Sequence, residues 1–268
     1  MTRYALCIFT CICALLLAGC DITWSVVGVP PDKPAPAGPP DEIIKSVPPD
    51  HELRIFIHYK AKAGTPPTGS IACPSKTTGK WATKRLSFAV NPNQLVADAD
   101  GDTQSNEAIV NAVTAGFAAW DSASGLSTPN VTAFGGLPSS YVDGKRNGVN
   151  EIAWASLSAA GFQNAIAVTY VWSVRATKQI IEADIVNNND PGFDWVIHDV
   201  ASGFNGAVVP TTGKFDVSNI ETHEFGHFIG LGHVSEVLHT MYGYSSPDEI
   251  KKRSLECGDI AAVKKLYG

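Results

Sequence analysis

The sequence predicts an α+β fold, and three observations point to it. Leu86, Phe88 and Val90 alternate with polar or small neighbours, the period of a half-buried strand. Ile109, Val113, Phe117 and Trp120 recur at steps of three and four, which places one apolar stripe on a helix. Most strand-like segments lie before residue 190 and the later helix-like ones follow, so the helices are grouped after a sheet.

The elements follow in order. Leu53-Arg54-Ile55-Phe56-Ile57 is a short strand-like run, followed by a Gly/Pro/Thr-rich stretch around Cys73; residues 51–80 read as a prefix to the main domain. From Trp81 the pattern tightens into the strand at 86–90. Ser105 is the expected cap of the first helix, which should stop near Ser124-Gly125. Segments 131–134 and 151–155 are short strands separated by a polar Gly/Asn-rich loop. Segments 165–174 and 179–186 are stronger strands, joined by a turn around Ala176-Thr177. Residues 187–215 read as irregular. A second helix should begin at Asp216 or Ser218, and a third should run from about 255 to 266.

The N-terminus has the layout of an export signal, with Arg3 ahead of an apolar run at 4–18. That run is shorter than the roughly 20 residues a membrane span needs. It ends Leu17-Ala18-Gly19-Cys20, which resembles the bacterial lipoprotein processing box, in which the cysteine becomes the first mature residue and carries lipid. Residues 1–19 are therefore expected to be a lipoprotein signal peptide and Cys20 the lipidated residue. A plain secretory signal or an uncleaved anchor are the alternatives. Residues 20–50, with prolines from Pro30 to Pro49, read as an extended tether. This leaves 81–268 as the folded domain, outside the cytoplasm and anchored to a membrane, or secreted if Cys20 is incidental. A net charge of −6 provides no basic footprint, which argues against nucleic acid as a partner. The domain is expected to act as a monomer.

Of the six cysteines, Cys7, Cys11 and Cys13 would leave with the signal. Cys73 and Cys257 remain in a compartment that permits disulfides, which favours a bridge between them over two free thiols.

Residues 223–233 read His-Glu-Phe-Gly-His-Phe-Ile-Gly-Leu-Gly-His. On a helix, His223 and His227 stand one turn apart on the same side, with Glu224 beside them. A continuing helix would carry His233 away, whereas Gly230 can take a positive φ and turn the chain back. Three neutral imidazoles with a fourth position open describe a catalytic zinc site. Glu224 is then the general base acting on the zinc-bound water. The expected cofactor is one Zn2+ held by His223, His227 and His233, and the expected partner is a protein or peptide substrate.

The extended motif followed by Thr240-Met241-Tyr242 resembles the metzincin clan of zinc peptidases, and within it the matrixins. The resemblance runs from about Trp81 to Gly268. Supporting pieces are Ala115-Gly116-Phe117-Ala118-Ala119-Trp120, Glu182-Ala183-Asp184-Ile185-Val186, Gly258-Asp259-Ile260 and the ending Leu266-Tyr267-Gly268. It implies a metzincin-like catalytic domain with a mixed twisted sheet, a zinc-binding active-site helix, a Met-turn and a C-terminal helix. It also implies that Met241 packs beneath the ligands and that Asp259 ties the last helix to the Met-turn. Tyr242, Tyr244 and Pro247 would wall the pocket after the scissile bond. The substrate would lie along an edge strand within 165–174. The family's second, structural zinc has no matching His-Gly-x-Asp segment here, since no histidine lies between His58 and His198. Its inhibitory-cysteine context is also missing, because Cys73 lacks the neighbouring arginine and aspartate.

Asp98-Ala99-Asp100-Gly101-Asp102, with Glu107 beyond, resembles a calcium loop, so Ca2+ is a second, weaker cofactor expectation from Asp98, Asp100, Asp102 and Glu107. The alternative is an acidic loop favouring the start of the next helix. His51, His58, His198 and His239 are read as core or surface residues rather than ligands. Two competing functions remain beside the endopeptidase. One is a non-catalytic zinc-stabilised surface binding module, which would have no need of Glu224; the other is a zinc hydrolase of another substrate class.

Overall fold

The structure is a computed structural model and describes residues 42–61, 72–94, 96–98, 101–199 and 211–268. The expected signal, Cys20 and the Pro30–Pro40 stretch lie outside the described residues.

In chain order the strands are β1 (Glu42–Val47), β2 (His51–Lys60), β3 (Lys80–Trp81), β4 (Arg85–Val90) and β5 (Val96–Asp98). Helix α1 (Asn106–Ser124), β6 (Ser127–Ala133), the short α2 (Ser139–Val142), β7 (Glu151–Ala155), β8 (Ala165–Val174) and β9 (Gln179–Asn188) follow. The chain closes with β10 (Trp195–Ile197), β11 (Phe215–Asp216), α3 (Val217–Phe228), β12 (Tyr244–Ser245), a 3-10 turn at Lys251–Arg253 and α4 (Cys257–Tyr267). The main sheet is mixed, in the order β1-β2-β8-β9-β7-β4-β6. β1, β2, β8 and β9 pair antiparallel, while β9, β7, β4 and β6 pair parallel.

Both long helices begin and end where their side chains dictate. Ser105 caps α1 by accepting from the Ala108 amide at 3.1 Å, and Gly125 ends it with φ 67°. The stripe Ile109, Val113, Phe117 and Trp120 is buried against Phe88, Phe225 and their neighbours. At Gly116 the two helices approach so closely that a Cβ would meet the Glu221 backbone carbon at 2.8 Å. Trp120 Nε1 donates to Thr222 O at 2.8 Å, which locks α3 against α1. On the other face, alternate residues of β2 and β8 form a second cluster with Leu157, Val186 and Ala155.

The expected division at residues 50 and 80 does not hold. β1 comes from the end of the supposed tether, β2 comes from the supposed prefix, β3 straddles the boundary at residue 80, and all three are strands of the main sheet. The reason is burial: Leu53, Ile55, Ile57 and Tyr59 alternate along β2 and are all covered. Strand 165–174 is consequently not an edge, because β2 pairs with it from His51 to Tyr59. The region read as irregular also carries β10, which pairs parallel to both β5 and β11, while β9 runs on to Asn188.

Candidate metal centre

Helix α3 starts at Asp216, whose side chain accepts from the Asn219 amide at 2.7 Å. His223 and His227 follow one turn apart. The helix ends at Phe228, and Gly230 takes φ 101°, where a Cβ would overlap the Gly79 carbonyl. Both the left-handed backbone and the lack of space require glycine there. The chain turns back and brings His233 to the pair. The three Nε2 atoms lie 3.0–3.1 Å from one another.

The donor chemistry of this trio asks for a cation. His223 Nδ1 donates to Thr240 O at 2.6 Å and His227 Nδ1 donates to Leu231 O at 2.9 Å. Carbonyls only accept, so these rings carry their proton on Nδ1 and present bare lone pairs at Nε2. Burial holds the pKa of His223 and His227 well below the usual range, so both are neutral. Zn–N bonds of about 2.05 Å at tetrahedral angles would place such nitrogens about 3.3 Å apart, close to the spacing found. His223, His227 and His233 therefore fit a zinc ion.

The support beneath is equally specific. Met241 is buried, and a Cβ at Gly226 would overlap its sulfur, so the Met-turn rests on the bare helix backbone. Asp259 accepts from the Thr240 amide at 3.0 Å and, as part of the α4 capping box, from the Glu256 amide at 3.0 Å. Lys252 is fully buried, and its Nζ donates to Thr240 O at 3.0 Å and to Tyr242 O. Burial lowers its pKa to about 7. The Thr240 carbonyl is thus shared between Lys252 and a histidine of the trio.

Glu224 is buried next to the trio. One oxygen accepts from Thr169 Oγ1 at 2.5 Å, and the other lies 2.9 Å from His58 Nδ1. Burial pushes its pKa up to about 8. In the sequence His58 reads only as a core or surface histidine, and Thr169 and Lys252 carry no signal of their own. His58 is 166 positions from Glu224, and only strand pairing brings the two together. The alternation in His51–Lys60, apolar at odd positions, was the available signal that the even positions face a different environment.

Tyr242 and Tyr244 lie beside the centre with ring centroids 5.5 Å apart, and Pro247 follows half-buried. Instead of walling an open pocket, this segment pairs through β12 with the end of β2. Cys73 and Cys257 form a disulfide, so Cys73 is not a thiolate facing the trio. Asp98 contributes backbone to β5, Asp100 lies outside the described residues, and Asp102 and Glu107 are exposed, with Glu107 in the first turn of α1. Among the described residues, the groups spaced to share an ion are the trio and the set His58, His223 and Glu224.

Residues 151–268 match the Matrixin family (Peptidase_M10). The chain is 42% identical over 59 residues to Metalloendoproteinase 1 of Glycine max, covering 22% of this chain and 19% of that protein. It is 37% identical over 79 residues to Metalloendoproteinase 1-MMP of Arabidopsis thaliana, covering 30% and 20%. It is 45% identical over 49 residues to Matrilysin of Rattus norvegicus, covering 18% of each. The chain spans about a fifth of the length of these curated relatives.

Proposed function

We propose that this chain, matrixin-like over residues 151–268, is a zinc-dependent endopeptidase acting on extracytoplasmic proteins, with Glu224 as its general base. The observation that carries this reading is the convergence of three imidazole nitrogens, two from α3 and one from the turn after it, beside the buried carboxylate of Glu224. Three imidazoles leave a tetrahedral ion one open corner, as catalytic rather than closed structural zinc sites do. When bound, zinc supplies Lewis acidity, polarising a peptide carbonyl and making water more acidic. The Nδ1 bonds to Thr240 O and Leu231 O fix the rings and strengthen Nε2 as a donor atom.

Glu224 is placed for proton transfer beside the trio, its carboxylate held by Thr169. Thr169 anchors one oxygen; the other, on His58 Nδ1 while β2 is in place, would take a proton from water and return it to the leaving amine once His58 is withdrawn. Met241, Asp259 and Lys252 hold the Met-turn under the trio and touch no reacting atom. Tethering through Cys20 outside the cytoplasm remains part of the proposal. The Cys73–Cys257 disulfide, a bond of oxidising compartments, supports that placement.

The competing reading is a non-catalytic zinc-stabilised surface module, favoured by the covering of the centre by β2. Such a module has no use for a buried carboxylate with a raised pKa, which costs stability at neutral pH. The test uses the purified full chain and its Phe56→Ser/His58→Gly variant. Elemental analysis should find one zinc per chain, lost on His227→Ala. Casein cleavage by the variant should stop with a chelator and fall at least about a thousandfold with Glu224→Ala at unchanged zinc content. Cleavage indifferent to both treatments would remove the peptidase reading.

A further inference from the structure

The trio and Glu224 are closed off by one strand of the same chain. β2 runs antiparallel to β8, from His51 opposite Val174 to Tyr59 opposite Ala165. Its end runs parallel to β12, with the Tyr59 amide donating to Gly243 O at 3.0 Å and the Ala61 amide to Ser245 O at 2.8 Å. It thus fills the slot between β8 and the segment after the Met-turn. Two of its even positions, Phe56 and His58, point into the centre. Phe56 stacks on His227 with centroids 4.2 Å apart and meets His233 edge-on. His58 lies over His223 at 3.9 Å, with its Nε2 3.1 Å from Ser245 Oγ and its Nδ1 on Glu224. His223, Glu224 and His227 have no exposed surface as a result.

We propose that β2 is a resident pseudosubstrate. It occupies the groove in which an extended polypeptide would bind between β8 and β12, and it keeps the centre latent until it is displaced. This rests on the peptidase reading for what the groove is for. Two features separate a blocking role from a purely architectural one. Most of the anchoring and the blocking are carried by opposite faces of the strand: Leu53, Ile55, Ile57 and Tyr59 pack into the second hydrophobic cluster, whereas Phe56, which also belongs to the main core, and His58 meet the metal-site side chains. The far end is held by Glu52 to Lys178 and Arg54, and by Glu42 to Arg54 and Lys76, bonds of 2.7–2.9 Å. The Arg54 bonds are largely covered, whereas Lys76 and Lys178 are nearly half exposed, and ion pairs to exposed lysines hold weakly and can be released. A strand in the same chain also competes at a high effective concentration, so an outside peptide is disfavoured until the strand is loosened.

The test loosens only the blocking face. The full chain and Phe56→Ser/His58→Gly are compared, each loaded with zinc in a Glu224→Gln background, for binding of a fluorescein-labelled synthetic peptide with the sequence of residues 51–60. Cleavage of a quenched fluorescent peptide is measured in parallel with Glu224 intact. The variant should bind the labelled peptide about tenfold more tightly or better, and cleave about tenfold faster, at equal zinc content. Equal peptide affinity in both chains, or wild-type cleavage as fast as the variant's, overturns the proposal. Tighter peptide binding without cleavage by either chain leaves β2 a displaceable occupant of the groove, removes the peptidase reading, and with it the description of the strand as a pseudosubstrate. Should the variant fail to fold, Lys76→Gln/Lys178→Gln changes only the exposed arms of the ion-pair network. It should shift peptide affinity in the same direction by about two- to fivefold, and no shift counts against the proposal.

Discussion

Single side chains carry most of the chemistry, and some carry a cost to the fold. Asp184 on β9 accepts from the Glu151 amide at 2.9 Å and the Ser140 amide at 3.4 Å, with Glu182 and Glu151 close by. Burial first, and then repulsion from those two carboxylates, raises its pKa from 3.8 to about 7. Below the unfolded value both states hold the proton and no penalty exists. As pH rises towards 7 the unfolded chain ionises while the folded one does not, so stability falls through that window and levels above it. The contribution is at most about 1.4 kcal/mol per pH unit. Asp184→Asn should therefore flatten the stability profile between pH 4.5 and 7, measured by urea unfolding against the wild type; an unchanged slope would refute the shift. At this scale the sequence made the convergence of His223, His227 and His233 plain, because helical spacing and a glycine are local properties. His58, Thr169 and Lys252 were hidden, because each reaches the centre only through pairing or packing with a distant segment.

The elements were legible wherever their periodicity was internal. Helix α1 was bounded by Ser105 and Gly125 before any contact was known, and the hairpin of β8 and β9 followed from two apolar runs and a short turn. β10 and β11 were missed, since strands of three and two residues have no measurable period and exist only through each other and β5. What joins the elements is polar and buried. Asp216 caps α3 and also receives Arg253 in two bonds of 2.8 and 2.6 Å, tying the start of the helix that carries His223 and His227 to the 3-10 turn. Arg253→Met leaves that carboxylate covered and stripped of its cation, which should cost about 3–5 kcal/mol in urea unfolding. Asp216→Asn combined with Arg253→Met should cost less than the sum of the single changes. Strict additivity would mean that the pair does not act as one unit.

At the scale of the molecule, the disulfide connects the segment ahead of β3 to the start of α4, across 184 positions. That segment also lines the turn that delivers His233: the Thr78 amide donates to Gly230 O at 2.8 Å, and the Gly232 amide donates to Lys76 O at 2.9 Å. Removing the bridge therefore acts twice, on global stability through the loop it closes and on the metal centre through the turn it braces. Cys73→Ser/Cys257→Ser should lower stability by about 2–4 kcal/mol. It should also speed zinc loss to a chelator, followed with a colorimetric zinc indicator. A drop in stability with unchanged zinc release would show that the turn is held without help from the bridge. The order along the chain gives this arrangement its sense. β2 lies before Cys73, so the strand that covers the centre can leave while the brace behind His233 stays covalently fixed to α4. A chain built in the opposite order, with the bridge ahead of the covering strand, would fix the covering strand in place and leave the brace behind His233 untethered.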